Sequence, residues 1–543
     1  MSTNRKNNND FVMQAGILAA AGIICRLIGL IYRVPLANIL TDEGNGYYST
    51  AYNIYTIVLL LASYSIPSAI SKLMAGKLEQ KEYKNAQRIF YCALMYVGAV
   101  GFVAGLFLFF GADILLEGKA AYVLRAFAPT VLIYGFLGVL RGYFQANKTM
   151  VQTSVSQIFE QILNATVSVG AAYYFMQIFD HAPEYGAIGS ALGTMAGVIT
   201  ALLVMLWAYY INRKLIRRRL AMDKSNVLDS YGEIFKSMLL IVTPIILSTF
   251  IYNFNITLNN NLFTNIAMSH YGMTEQQSYS VFGIYSGKAV LLSDVPVALA
   301  SAMSAALIPV VSGAFVKEGA RAAGKKAEVA IHTTMLFAIP AAAGMFAVAG
   351  PILTALFRFE TPEDFRMAVA LLRMMTLSIC FYSLSTVSNG ILQGIGKVNR
   401  PVVHAAIALL VQTALVIGLL LGTDIGIYAL PIAFFLYAAL ISLLNQLSVR
   451  KELDCRIHFV QVFLKPTICS IAMGCAAYLV YVGFYYILPI NIVALGVSVI
   501  FAVIVYVVTM ILCGGITEEI LDNIPKGDML KKVLKKMGLK KRQ

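Results

Sequence analysis

The stretch GIICRLIGLIYRVPLANIL, residues 22–40, decides what kind of fold this chain can adopt. It is about as long and as apolar as a helix that crosses a bilayer, yet it contains Arg26 and Arg33. An arginine at the centre of such a helix costs about 3 kcal/mol or more. Seven positions on a helix bring the two arginines within about 20° of one face, and Gly29 lies near that face. We therefore predict a basic stripe that lines a water-filled cavity; for Arg33 the alternative, a side chain reaching the outer headgroups, stays open.

Apolar runs of similar length recur from Phe11 to Gly515. The chain of 543 residues is 59% hydrophobic and 13% charged, with a mean hydropathy of +0.74, whereas an ordinary globular domain has about 25% charged residues. We therefore predict an all-α integral membrane protein with about 14 transmembrane helices. The first run is too long for the apolar core of a signal peptide, so we expect it to be retained.

The net charge of +15 is explained by topology. Of the 42 Lys and Arg residues, 34 lie at the N-terminus, near the loops after even-numbered helices, or in the tail 516–543. The other loops contain acidic segments such as TDEGNG and FETPEDF. The positive-inside rule then places both termini in the cytoplasm, and a nucleic-acid partner is not expected. The tail is either a helix on anionic lipid or a solvated segment.

An internal repeat divides the chain. VLRAFAPTVLIYG matches LLRMMTLSICFYS at an offset of 248, and LRGYFQANK matches LQGIGKVNR at an offset of 252. An offset near 250 spans six helices, so the copies are parallel repeats. We predict an N-terminal lobe at 1–212 and a C-terminal lobe at 233–450, joined by a basic cytoplasmic linker at 213–232. A pair of additional helices at 451–515 and a basic tail at 516–543 follow.

Other polar residues at membrane depth are candidates for a site. On the eighth predicted helix Lys288 and Asp294 are six residues apart and do not face each other; Lys288 is a candidate ligand, while Asp294 balances its charge or carries a coupling cation. For Glu160, a hydrogen-bonding role in lobe packing and a role in charge balance or ion coupling stay open. The candidate cavity amides, which suit sugar hydroxyls, are Asn53, Asn253, Asn255 and Asn259.

Enzyme and metal motifs are absent from the sequence. GARAAGKK, residues 319–326, ends in Lys326 where a P-loop needs Ser or Thr. The seven cysteines form no CxxC pair, and the histidines have no metal-ligand spacing. We expect no catalytic residue, metal or cofactor. We expect the energy for transport to come from a coupling cation, the membrane potential or another protein.

The segments RLIGLIYRVPLANIL, GNGYYSTAYNIYTIVLLLASYSIPSAISKLMA, LRGYFQ and LIPVVSGAF, in this order, carry a resemblance. The chain resembles the polysaccharide-flippase branch of the multidrug/oligosaccharidyl-lipid/polysaccharide (MOP) exporter superfamily. Within that branch it resembles the stage V sporulation protein B group and its relatives, the lipid II flippases. The resemblance covers nearly the whole chain, through hydrophobic patterns and not through a catalytic signature.

The resemblance implies two six-helix lobes in a V shape, alternating access, and a lipid groove beside the last two helices. It also implies that Arg26, Arg33 and Lys288 bind the diphosphate of the cargo. The chain departs from the family on the second helix, which has no basic residue, and at Lys288, where the family has Arg; a lysine lacks the bidentate fork of arginine.

We therefore expect a flippase for an undecaprenyl-diphosphate-linked saccharide, above all lipid II, in the bacterial cytoplasmic membrane. The alternatives are another lipid-linked polysaccharide repeat unit or a cation-coupled multidrug antiporter. The expected partners are the lipid-linked substrate, membrane lipids and cell-wall synthesis proteins, and we expect a monomer. A role in sporulation or in vegetative growth stays open.

Overall fold

A computed structural model describes residues 2–64, 66–223, 228–455 and 457–515. These ranges are built from helices and contain no β-strand, which confirms the predicted all-α fold. The α-helices of the described ranges are α1 (Ser2–Leu59), α2 (Ile66–Glu79), α3 (Tyr83–Phe110), α4 (Ala112–Leu115), α5 (Ala120–Ala146), α6 (Val151–Ile178), α7 (Pro183–Met222), α8 (Tyr231–Ser269), α9 (Glu275–Ile284), α10 (Leu291–Glu318), α11 (Ala320–Ala347), α12 (Ala349–Leu356), α13 (Pro362–Gly394), α14 (Asn399–Gly422), α15 (Ala429–Leu453), α16 (Lys465–Ile487) and α17 (Asn491–Leu512).

The helices make this a multi-pass membrane protein. Among the described residues, 11 helical runs are long and apolar enough to cross a bilayer. The first of them, Ala20–Glu79, is 60 residues long and contains two of the predicted helices. α6 and α8, with 28 and 39 residues, are long helices outside these 11. The predicted number of 14 is not confirmed.

α1 is broken at a single residue. Thr41 has φ 63° and ψ 177°, a conformation that a β-branched residue adopts only under strain. The side-chain amide nitrogen of Asn45 donates hydrogen bonds to the carbonyl oxygens of Ala37 at 2.7 Å and Thr41 at 2.6 Å. It thereby supplies a donor where the break interrupts the helical ladder. The loop expected at 41–46 is thus a kink between two arms of α1.

The helices form two compact units, residues 1–287 and 288–543. In the first unit α1 packs against α5, α6, α7 and α9, and α6 packs against α7. In the second unit α13 packs against α10, α11 and α15, and α16 packs against α11 and α17. The first unit includes α8 and α9, which we had assigned to the C-terminal lobe. The assignment of two transport lobes to 1–212 and 233–450 stays a prediction.

Each unit packs its copy of the repeat in the same way. Gly142 on α5 lies against α2, where an added methyl group would be 2.9 Å from the carbonyl oxygen of Pro67. Gly394 on α13, 252 positions later, lies against α10, where a methyl group would be 3.0 Å from the carbonyl oxygen of Ile308. Small residues allow membrane helices to approach this closely. The glycine of LRGYFQ therefore has the same packing role in both copies.

Candidate functional site

Arg26 and Arg33 lie on the first arm of α1, in the first unit. Arg26 is exposed and Arg33 is half-buried. Between them, an added methyl group at Gly29 would be 3.9 Å from the side-chain oxygen of Gln161 on α6. α6 therefore lies beside α1 at Gly29, and the water-filled cavity along the arginine face stays a prediction.

Arg33 belongs to a polar network that joins α1 to α6 and α7. Its guanidinium lies beside the hydroxyl of Tyr32, which also lies near the amide of Asn164. The hydroxyl of Tyr48, on the second arm of α1, lies near Thr194 and Arg33. The hydroxyl of Thr194 donates to the side-chain oxygen of Asn164 at 3.5 Å. A guanidinium, an amide and several hydroxyls converge here, and such groups bind anions and sugar hydroxyls.

A cluster of aromatic rings lies beside this network. The ring centroids of Tyr48 and Tyr52 are 5.7 Å apart, and those of Tyr52 and Tyr55 are 5.9 Å apart. Phe127 on α5 stacks on Tyr55 at 4.7 Å. The sequence signal for this cluster is the spacing of four and three residues, which places the tyrosines on one helix face.

The predicted cavity amides are only partly brought together. The side-chain nitrogen of Asn259 donates to the side-chain oxygen of Asn255 at 2.6 Å, on the buried side of α8. Asn53 is half-buried on α1. The side chain of Asn253 lies outside the described part of the chain. Asn255 and Asn259 thus pair with each other, and their role as sugar contacts stays a prediction.

Glu160 has a partner that the sequence did not reveal. Its carboxylate accepts a hydrogen bond at 2.6 Å from the guanidinium of Arg141 on α5. Arg141 also donates through Nε to the hydroxyl of Ser156 at 3.0 Å, and only 6% of the residue is exposed. Sequence reasoning counted Arg141 among the basic residues near a cytoplasmic loop. Glu160 therefore links α6 to α5 through this ion pair, and its role in charge balance or ion coupling stays a prediction.

Lys288 and Asp294 lie in different surroundings, as their spacing predicted. The ammonium of Lys288, with the residue 1% exposed, donates to the carbonyl oxygen of Arg358 at 2.9 Å and lies 4.0 Å from the ring centroid of Phe359. Asp294 is exposed on α10 and within electrostatic reach of Tyr382. In this structure the Lys288 ammonium thus contacts the backbone at Arg358, within the second unit.

The described residues contain no group of three or more His, Cys, Asp or Glu side chains that could hold a metal ion. The groups near Arg33 include the hydroxyls of Tyr32 and Tyr48 and the amide of Asn164. With the positive guanidinium beside them, they favour an anionic or hydroxylated ligand over a cation.

Two family models match the chain. The model described as polysaccharide biosynthesis protein matches residues 11–315, which is more than half of the chain. The model described as MatE matches residues 288–418. The two matches together run from residue 11 to residue 418 and therefore include most of the first compact unit and part of the second.

Two relatives from Bacillus subtilis (strain 168) extend these matches. The lipid II flippase MurJ is 26% identical over 427 residues, which cover 74% of this chain and 76% of MurJ. The stage V sporulation protein B is 24% identical over 443 residues, which cover 80% of this chain and 83% of the relative. Both relatives are thus matched over most of their length.

Solved structures share the fold. The inward closed conformation of the lipid II flippase MurJ has a TM-score of 0.66 at 15% sequence identity and covers 91% of this chain and 98% of that chain. An inward-facing multidrug resistance MATE family transporter has a TM-score of 0.63 at 14% identity and covers 79% of this chain and 94% of that chain. The chain therefore belongs to the polysaccharide biosynthesis protein family, within the MOP superfamily of membrane flippases and transporters.

Proposed function

We propose that this protein is a flippase that moves an undecaprenyl-diphosphate-linked saccharide, above all lipid II, from the inner to the outer leaflet. The observation that carries this proposal is the polar network around Arg33, on the same helix as Arg26. A diphosphate in a low-dielectric cavity needs cations and hydrogen-bond donors. The tyrosines of α1 offer hydroxyls and ring faces to the sugars.

The lipid tail needs a path that avoids the polar cavity. α16 and α17 expose an apolar surface, consisting in part of Leu479, Ile487, Ile492, Ile500 and Leu512. Because lipid chains are as apolar as these side chains, a tail can remain in the bilayer beside them while the headgroup crosses. We place the lipid groove here.

A contact between α1 and α9 supports alternating access. An added methyl group at Gly46 would lie 2.0 Å from the carbonyl oxygen of Tyr279, and one at Gly283 would lie 1.8 Å from that of Asp42. The backbones therefore touch at the acidic segment that charge bias assigns to the outside. We infer that this contact closes the cavity outward and that the two predicted lobes part here during transport.

The remaining expectations follow from this role. The protein resides in the bacterial cytoplasmic membrane, with both termini on the cytoplasmic side. It works as a monomer, with cell-wall synthesis proteins as partners. A coupling cation, for which Asp294 and Glu160 are candidates, or the membrane potential supplies the energy. Lys288, whose ammonium donates to the carbonyl of Arg358, is the third cation of the proposed diphosphate site.

Complementation tests the proposal. The protein is produced in cells depleted of their own lipid II flippase, and lipid II exposed on the outer surface is measured. Exposure should be restored by the natural protein and strongly reduced by Arg26→Ala and by Arg33→Ala. Absence of rescue by a protein that is present in the membrane would refute the choice of lipid II.

Two observations favour other cargoes of the same superfamily. The polysaccharide biosynthesis match over 11–315 favours a capsular, teichoic-type or exopolysaccharide unit. The MatE match over 288–418 favours a cation-coupled multidrug antiporter. Rescue of a polysaccharide pathway identifies the first alternative, and drug resistance that depends on a cation gradient identifies the second.

A further inference from the structure

Arg141 and Glu160 form an ion pair that is withdrawn from water between α5 and α6. Their side chains are 7% and 15% exposed, with 2.6 Å between the guanidinium nitrogen and the carboxylate oxygen. Removing two charges from water costs several kcal/mol, and their mutual attraction does little more than offset this cost. Two apolar side chains would therefore pack the helices equally well. A charged pair at membrane depth therefore calls for another explanation.

The pair lies next to the segment of α1 that carries the cavity arginines. An added methyl group at Gly29, which lies between Arg26 and Arg33, would be 3.9 Å from the side-chain oxygen of Gln161, the residue after Glu160. As long as Glu160 neutralises Arg141, the pair adds no net charge to this region. Without Glu160, Arg141 would add a second positive charge near Arg26.

The internal repeat offers a comparison within the same chain. The offset of 252 that relates the packed glycines pairs Arg141 with Gln393 and Glu160 with Gln412. Gln393 donates to the side-chain oxygen of Asn389 on its own helix at 2.9 Å. Neither position carries a charge in the second copy, and this bond of Gln393 stays within α13 and does not reach across to α14. Packing of the repeat alone does not explain the ion pair in the first copy.

We propose that Arg141 is a further cation of the diphosphate site, and that Glu160 is an internal anion that occupies Arg141 until the cargo displaces it. This inference rests on the proposed function and names an additional specificity-determining residue for it. The carboxylate and the diphosphate compete for the same guanidinium, because both are acceptors that match its forked donors. The competition keeps Arg141 from being buried without a counter-charge when the cavity holds no cargo.

Binding of inorganic diphosphate to the purified full-length protein tests the proposal. Calorimetry compares the natural protein with Glu160→Gln, Glu160→Asp and the double variant Arg141→Gln/Glu160→Gln. We expect Glu160→Gln to lower the dissociation constant for diphosphate by about tenfold, since a charge-assisted hydrogen bond becomes available. Glu160→Asp should give a smaller gain, because its shorter carboxylate stays negative but retracts from Arg141. The double variant should lose the gain.

Asp113→Asn is the matched control. Asp113 pairs with Arg125, which is on the same helix as Arg141 but at its opposite end. Removal of this carboxylate also frees an arginine, yet should leave the affinity for diphosphate unchanged. An equal gain in the control would mean that the effect is one of overall charge, and would overturn the proposal.

The proposal is also overturned if Glu160→Gln and Glu160→Asp both bind diphosphate no better than the natural protein, or if the double variant keeps the gain. Inorganic diphosphate carries neither sugar nor lipid. A gain in affinity can therefore hold while rescue with lipid II fails, in which case only the choice of cargo is wrong. Rescue without a gain would leave the flippase intact and remove Arg141 from its site.

Discussion

The buried ammonium of Lys288 donates its hydrogen bond to the backbone carbonyl of Arg358, 70 residues away, at 2.9 Å. A hydrogen bond from a charged donor contributes about 1.5–3 kcal/mol to stability. We expect Lys288→Met, which keeps an unbranched apolar stem, to lower the free energy of unfolding by about this amount. Unfolding in detergent measures the change. Lys236→Met, at an exposed position, is the control, and equal stability of the two variants would contradict the prediction.

Gly46 lies where α1 and α9 are in backbone contact, so an added methyl group tests whether this contact is closed. Gly46→Ala places a carbon against the carbonyl oxygen of Tyr279 at 2.0 Å, well inside contact distance. The backbones of α1 and α9 must then part, so we expect lower thermal stability and a cavity that opens outward more easily. Labelling of a cysteine introduced at Tyr48 by an impermeant reagent measures the opening.

The control for Gly46 is Gly170 on α6, where an added methyl group would meet nothing within 4 Å. Gly170→Ala should raise stability slightly, by about 0.5–1 kcal/mol, because alanine is the better helix former. If Gly46→Ala behaved like Gly170→Ala, the contact between α1 and α9 would not be closed in the membrane.

His404 and Asn445 form the centre of a buried network in the second unit. Nδ1 of His404 lies 2.8 Å from the side-chain oxygen of Asn445, and the Asn445 nitrogen donates to the carbonyl of Ser385 at 3.4 Å. This orientation of the amide requires the proton on Nδ1 of His404. We expect His404→Leu and Asn445→Leu each to cost about 1–3 kcal/mol.

The double variant tests whether the two residues act together. In the double variant neither residue leaves the other as an unsatisfied buried partner, so the double variant should cost less than the sum of the single ones. A full double-mutant cycle of unfolding free energies gives the coupling. Additive effects would mean that the network contributes through packing alone.

The carboxyl group of Glu82, between α2 and α3, should make the stability of the protein depend on pH in the acidic range. Hydrogen bonds from Asn85 and Lys77, both at 2.9 Å, hold the pKa of its carboxyl below the ordinary value of 4.5. The unfolded chain therefore binds a proton at higher pH than the folded one. The contribution of Glu82 to stability is complete above pH 4.5 and is lost as the pH falls through the lower folded pKa.

Glu82→Gln should accordingly make the unfolding temperature less dependent on pH below 4.5. Glu79→Gln, whose carboxyl is 68% exposed and pairs with Lys148, is the control. An acid dependence that Glu79→Gln removes and Glu82→Gln does not would contradict the assignment.

The helical membrane fold could be predicted because it depends on each segment separately. In hydrocarbon a backbone must satisfy its own hydrogen bonds, so a long apolar run becomes a helix whatever its neighbours are. The break at Thr41 could not be predicted in the same way. TDEGNG is typical of a loop, yet the side chain of Asn45 donates to the carbonyls of Ala37, before the kink, and Thr41, at the kink. These contacts depend on how the two arms of α1 are arranged.

Part of the candidate site could likewise be predicted from single segments, and part depended on packing between helices. Helical periodicity placed Arg26 and Arg33 on one face, and the polar pattern placed Glu160 at membrane depth. The arginine that pairs with Glu160 was attributed to the cytoplasmic charge bias, because its sequence position near the end of a helix fits that rule. Only the packing of α5 on α6 revealed that Arg141 is buried.

The sequence by itself determined that the chain spans the membrane as helices, that it repeats after six of them, and which charges topology leaves unexplained. These properties follow from the transfer of single segments into lipid and from helical periodicity. Only the tertiary structure decided what each charge contacts: Glu160 for Arg141, Tyr32 for Arg33, and the carbonyl of Arg358 for Lys288. A buried charge takes its partner from whichever helix lies beside it, and that neighbour is set by packing between segments far apart in the chain.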